Sequence, residues 1–166
     1  MKHTNRSKAG FTLIEIILYI GIIAIIFAAI VPFALVTIGS SVKSSVQQTV
    51  YSDAYLISER IKYEIRGASG VSNVSANGIS LTNFSPDSTT VIDLTGGKAR
   101  INKNGAGAVN LSSNGTTVSE LTFTNNTSSD TKSKNISFVL TVISSGVRQE
   151  YQASATLRSS VEVRSN

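Results

Sequence analysis

One carboxylate, Glu15, stands near the start of the apolar run GFTLIEIILYIGIIAIIFAAIVPFALV, and no charged side chain follows it until Lys43. A carboxylate at the centre of a bilayer costs about 2.5–3.5 kcal/mol on insertion scales, so ionisable groups in such runs are usually held by a partner. Glu15 lies only about 6 Å along a helix from Phe11. Two roles are therefore open: it reaches the headgroups of its own leaflet, or it pairs with a positive group on another chain and fixes the register of two greasy helices.

The other residue types that do chemistry are thinly spread. The single histidine, His3, precedes the apolar run, so a Ser-His-Asp arrangement has no base further along the chain. Asp87, Asp93, Glu120, Asp130, Glu150 and Glu162 are dispersed, with no spacing that suggests paired acid and base work. There is no cysteine, which excludes disulfides, zinc-thiolate sites and cysteine nucleophiles. No phosphate-binding loop or EF-hand loop occurs. NKNGAG at 102–107 is a polar turn without a carboxylate to offer calcium. The N-x-S/T triplets, such as those at Asn73 and Asn135, follow from a composition rich in Asn, Ser and Thr. No enzyme, catalytic residue, cofactor or metal site is expected.

Three elements must place Glu15. The first is the segment 1–10, basic through Lys2, Arg6 and Lys8. Without it the chain carries 12 basic and 10 acidic residues, so the formal charge of +5 largely reports this segment. The remaining cations, including Lys98, Arg100 and Lys103, are scattered singly, and a nucleic-acid face is not expected. The second element is the apolar run at 11–38, long enough to cross a bilayer as a helix. Basic residues before it predict a cytoplasmic N-terminal side and a translocated remainder. A cleaved secretory signal competes with this reading, but its apolar core is usually only about 7–15 residues long. Pro32 within the run either kinks the helix or, with Gly39, brackets a segment able to unwind.

The third element is a stalk and head. Val42, Val46, Val50, Ala54, Ile57, Ile61 and Ile65 recur at spacings of three and four, the stripe of an amphipathic helix over 39–66. Arg60 and Glu64 form an i,i+4 pair on it, and Gly67 and Gly70 end it. Unbroken from Phe11 to Arg66, such a helix is roughly 84 Å long. Beyond it, 67–166 reads as short strands: GISLTNF, TTVIDLTGGKARIN, VSELTFT and the long NISFVLTVISSGVRQEYQASATLRSSVEV. Gly96-Gly97 and the SSG at 144–146 read as hairpin turns. Ile136, Phe138, Leu140 and Val142 are expected on one face, opposite Tyr151, Ala153, Ala155 and Leu157. The fold class is α+β, a long N-terminal helix whose second half packs on a small antiparallel sheet.

The stretch GFTLIE after a basic segment resembles the class III signal of type IV prepilins and type II secretion pseudopilins. The resemblance covers about the first 30 residues. It implies cleavage by a prepilin peptidase on the cytoplasmic side after Gly10, N-methylation of Phe11, and a carboxylate, Glu15, at the fifth mature position. It also implies a ladle-shaped fold, with proline at Pro32 and a loosened helix near Gly39 in filaments. The partners implied are the peptidase, sibling pilins or pseudopilins, a membrane platform protein driven by an ATPase, and lipid before assembly. The place implied is the cytoplasmic membrane, single-pass, and then a periplasmic or cell-surface filament. AYLISERIKYEIRGASGV resembles minor pseudopilins of the J type, and the lack of cysteine departs from pilins with a disulfide-closed C-terminal loop, so a minor subunit is favoured over a major one. Two alternatives stay open: a signal-anchored surface protein with a ligand-binding β head, and a DNA-uptake pilin.

Overall fold

The structure, a computed structural model, describes residues 10–86, 88–128 and 134–163. Lys2, His3, Arg6, Lys8, Asp87 and Asp130 lie outside these residues. The chain forms two compact units, Met1–Ser41 and Val42–Asn166. A single helix, α1 (Leu13–Gly67), contributes to both. In the first unit α1 is apolar on every side, long enough to cross a membrane by length and composition, and its most apolar stretch buries nothing. A helix without a polar face has no preferred side to bury in water and suits lipid or a bundle of its own kind.

In the second unit the stripe appears as a gradient of burial. Val42 and Val46 are half-buried, whereas Val50, Ala54, Ile57, Ile61 and Ile65 are buried completely. Ser58 and Glu64 are buried with them, although neither is apolar. The helix closes with Ala68 N–H donating to Ile65 O at 3.3 Å, and the first strand starts three residues past its end.

The remainder is antiparallel throughout, but it forms two sheets where one was expected. The first contains β1 (Gly70–Ser75), β2 (Gly78–Thr82), β3 (Thr89–Thr95), β4 (Lys98–Lys103) and β5 (Ala108–Asn110), in that spatial order. The second contains β6 (Thr116–Asn125), β7 (Asn135–Ser144) and β8 (Ser154–Glu162). Ile79, Ile92 and Ile101 stand opposite one another across β2, β3 and β4 and are all buried. Leu121, Leu140 and Leu157 form the matching row in the second sheet. Phe123 stands opposite Phe138, with ring centroids 6.0 Å apart. These rows and the α1 stripe make one core. Fully burying such side chains contributes about 1.5–3 kcal/mol each.

VSELTF breaks the strict alternation of a strand, since Val118 and Leu121 are three residues apart yet both buried. The register shift between Val118 and Glu120 resolves this. An extra residue in the bulge returns Leu121 and Phe123 to the inner face. Gly96 and Gly97, at φ 60° and 71°, form the expected hairpin turn between β3 and β4. Gly97 also joins the sheets: its carbonyl accepts from Val118 N–H at 2.8 Å.

The SSG at 144–146 is not a tight turn. Nine residues separate β7 from β8, and they include a 3-10 turn at Gln149–Tyr151. Gly146 is needed because Tyr151 packs on it: an added Cβ would sit 2.3 Å from Tyr151 Cβ. Tyr151 and Ala153 therefore precede the strand, while Ala155 and Leu157 do stand opposite Val142 and Leu140. The segment expected only to end the helix also supplies β1, an edge strand with just Val71 and Val74 to pack.

Candidate functional site: the N-terminal helix and its carboxylate

The start of α1 is built by Thr12. Its carbonyl accepts from Glu15 N–H at 3.1 Å and from Ile16 N–H at 3.3 Å, and its hydroxyl oxygen accepts from Glu15 N–H at 3.4 Å. Thr12 is thus the N-cap, satisfying a donor that the first turn of any helix leaves open. Thr12-x-x-Glu15 has the spacing of a capping box, in which the glutamate reaches back to the cap's own N–H. Here the carboxylate turns elsewhere: Tyr19, one turn further on, donates its hydroxyl to Glu15 Oε1 at 3.2 Å. The capping spacing was present in the sequence and identifies Thr12. Tyr19 follows from the i,i+4 rule applied to a polar pair in an apolar run.

Gly10 is exposed and precedes the helix, and Phe11 is 73% exposed. An added Cβ at Gly10 would meet no atom within 4 Å. Among the described residues, nothing requires glycine there.

Pro32 lies inside α1, which runs through it and through Gly39 without a break. Pro32 has no N–H to donate one turn back. On the following turns Thr37 and Ser40 donate their hydroxyls to Phe33 O and Val36 O, both at 2.9 Å. Gly39 has open space where a Cβ would stand, although glycine in a helix interior costs about 1 kcal/mol relative to alanine.

On the head, the cations that could have made a basic face are each held internally. Lys98 Nζ donates to Thr116 O at 2.7 Å and to Ser113 O. Arg100 makes two bonds of 2.9 Å to the carboxylate of Asp93, directly opposite on β3. Lys103 Nζ lies 2.9 Å from Glu64 Oε2. Glu64 Oε1 has Arg60 Nη2 at 2.9 Å, close enough for charge attraction but out of line for a hydrogen bond. The i,i+4 pair read from the sequence is thus two members of a three-group cluster.

Asp53, on α1, is a second anchor that sequence reasoning missed. It accepts from Ser113 N–H and from the hydroxyls of Ser113 and Thr116, tying α1 to the loop before β6 and to the first residue of β6. Burial pushes its carboxyl up, but these hydrogen bonds and the Lys98 charge outweigh that, and the group sits below the usual carboxylate range. No sequence spacing could have shown it, because its partners lie about 60 residues away.

Asn104, in the NKNGAG turn, has φ 54°, and its Oδ1 accepts from Ser88 N–H at 2.8 Å and Thr89 N–H at 3.2 Å. That turn closes a loop. A groove of about 820 Å³ runs past Leu56, Tyr63 and Gly67, but Arg60 at its wall is held by Glu64 and Glu59 is paired with Lys62. Among the described residues, no group of three His, Cys, Asp or Glu side chains gathers to hold a metal.

Compared with known proteins, residues 5–31 match the prokaryotic N-terminal methylation motif. The match takes in Gly10, Phe11, Thr12, Glu15 and Tyr19 and stops one residue before Pro32. No curated protein and no solved structure matches the chain.

Proposed function

We propose that the chain is a structural subunit, more in keeping with a minor than a major one, of a type IV pilus-like or type II secretion-like filament. A prepilin peptidase cuts after Gly10 and the new end at Phe11 is methylated. The mature subunit waits in the cytoplasmic membrane, held by the apolar half of α1, and enters the filament when Glu15 meets the amino end of a neighbour.

The match to the methylation motif over residues 5–31 carries this reading. Three features support it. Gly10 is a glycine that the fold does not need, whereas a peptidase that must bring its catalytic groups close to the backbone does need one. Cutting there removes Lys2, Arg6 and Lys8, the charges that hold the end in the cytoplasm. Glu15 remains on the product, its carboxylate accepting from the Tyr19 hydroxyl of its own chain. A DNA-uptake role is not favoured, because Lys98, Arg100 and Lys103 already have anionic or carbonyl partners within the head.

Mass spectrometry of the N-terminal peptide, from membranes and from sheared surface filaments, tests the reading. A chain starting at N-methyl-Phe11 in both fractions is expected. A chain cut after the apolar run, or found only in membranes, would replace the filament reading with a secreted or signal-anchored one.

A further inference from the structure

We infer that Tyr19 is a positioning residue for assembly: its hydroxyl holds the Glu15 carboxylate turned along the helix, away from its own amino end and ready for that of a neighbour. This rests on the filament reading above.

The argument begins with direction. Helical side chains lean toward the N-terminus and meet the residue four positions back, which brings the Tyr19 hydroxyl over Glu15, 3.2 Å from Oε1. At the third position of the helix, after the Thr12 cap, a glutamate has a competing place to go: back to the N–H of the cap, or to the amino group that cutting would create at Phe11. Either would close the charge on its own chain and leave nothing to set register with another. The phenol occupies one carboxylate oxygen, and among the described residues no hydrogen bond is made to Oε2.

The second part of the argument concerns solvent. Glu15 and Tyr19 sit in a segment whose neighbours are Ile14, Ile16, Ile17, Leu18 and Ile20. No other side chain within a turn of Glu15 on the C-terminal side can donate a hydrogen bond. A carboxylate in such an apolar run needs a hydrogen-bond donor to offset its lost hydration. Tyr19 supplies one without adding a charge. A tyrosine near a membrane surface also serves simply as an interfacial anchor. That alternative predicts nothing about Glu15 and is separated from the proposal by the same experiment.

The test uses the full chain, processed and placed in bilayers, with glutamate carboxyls labelled isotopically. The infrared band of Glu15 is identified as the one lost in Glu15→Gln. Tyr19→Phe, which removes the hydroxyl and keeps the ring, is then compared with the parent. The proposal expects the Glu15 band to shift, cleavage to be unchanged, and filament yield to fall about tenfold, the order of one hydrogen bond to a charged group. An unmoved band, or a shifted band with undiminished yield, would overturn it; the unmoved band is also the result for a mere interfacial anchor. Filaments of normal yield from Glu15→Gln would also overturn it by removing the register role of Glu15, whereas absence of the parent chain from sheared filaments would instead sink the filament reading itself.

Discussion

Glu64 Oε2 and Lys103 Nζ lie 2.9 Å apart and join the end of α1 to the last residue of β4. The Glu64 side chain is only 5% exposed, and its carboxylate faces two cations, Lys103 and Arg60, the latter half in solvent. Lys103 comes to it because it shares a strand face with the buried Ile101, two residues earlier.

Lys103→Met is therefore expected to destabilise the head by about 1–2 kcal/mol, less than a fully buried pair would lose because Lys103 is partly hydrated. Pairing it with Glu64→Gln should recover much of the loss, since the uncompensated charge goes with it. Thermal unfolding of the chain in detergent reads both. Equal stability of Lys103→Met and the parent would mean that water, not Lys103, carries the Glu64 charge.

Asp53 predicts a pH dependence. Its carboxyl is held below its unfolded value, so its stabilising contribution is present above about pH 4 and is lost as the pH falls through the lowered value. The difference in stability between parent and Asp53→Asn should be largest near neutral pH and shrink in acid. A difference that grows on acidification would reverse the assignment.

Gly97 combines a positive φ of 71° with a close approach, since an added Cβ would lie 2.7 Å from Thr117 Cγ2. Gly97→Ala is expected to cost about 1–3 kcal/mol, while the same change at Gly96, where φ is also positive but the space is open, should cost less. Urea titration of the two variants compares them directly. Equal losses would show that backbone conformation alone decides.

Glu15→Ala should insert into the membrane and be cut normally, yet be depleted about tenfold or more from sheared filaments, the scale of one lost charge-assisted contact. Immunoblots of the two fractions measure this. Unchanged surface display would favour the anchored, non-polymerising alternative.

The parts of this molecule legible in its sequence are those set by local period or local sterics. The Val50–Ile65 stripe announces itself because one helical face is buried and the others are not. Gly96-Gly97 announces a hairpin because few other residues accept that turn. The division into two sheets was hidden, because alternation says which face a residue takes but not which strand lies beside it. β1 was hidden by an edge position that leaves most of its residues exposed or half-buried. Gly146 misled because a glycine needed for the close approach of Tyr151 looks, in sequence, like a glycine needed for a turn. At the N-terminal site Glu15 stood out by its charge, whereas Tyr19 was masked by its ring, which belongs in an apolar run as readily as its hydroxyl belongs beside a carboxylate.

β8 has one further consequence. It pairs with β7 along nine residues and, among the described residues, has no strand on its other side. An unpaired edge of that length invites a second molecule to add itself to the sheet. Its outward-facing positions are Ser154, Thr156, Arg158, Ser160 and Glu162, a row of polar and charged groups with no apolar member. Such a row discourages edge-to-edge stacking. For a subunit held in a membrane before assembly, as proposed above, such an edge lets copies collide sideways many times without pairing strand to strand.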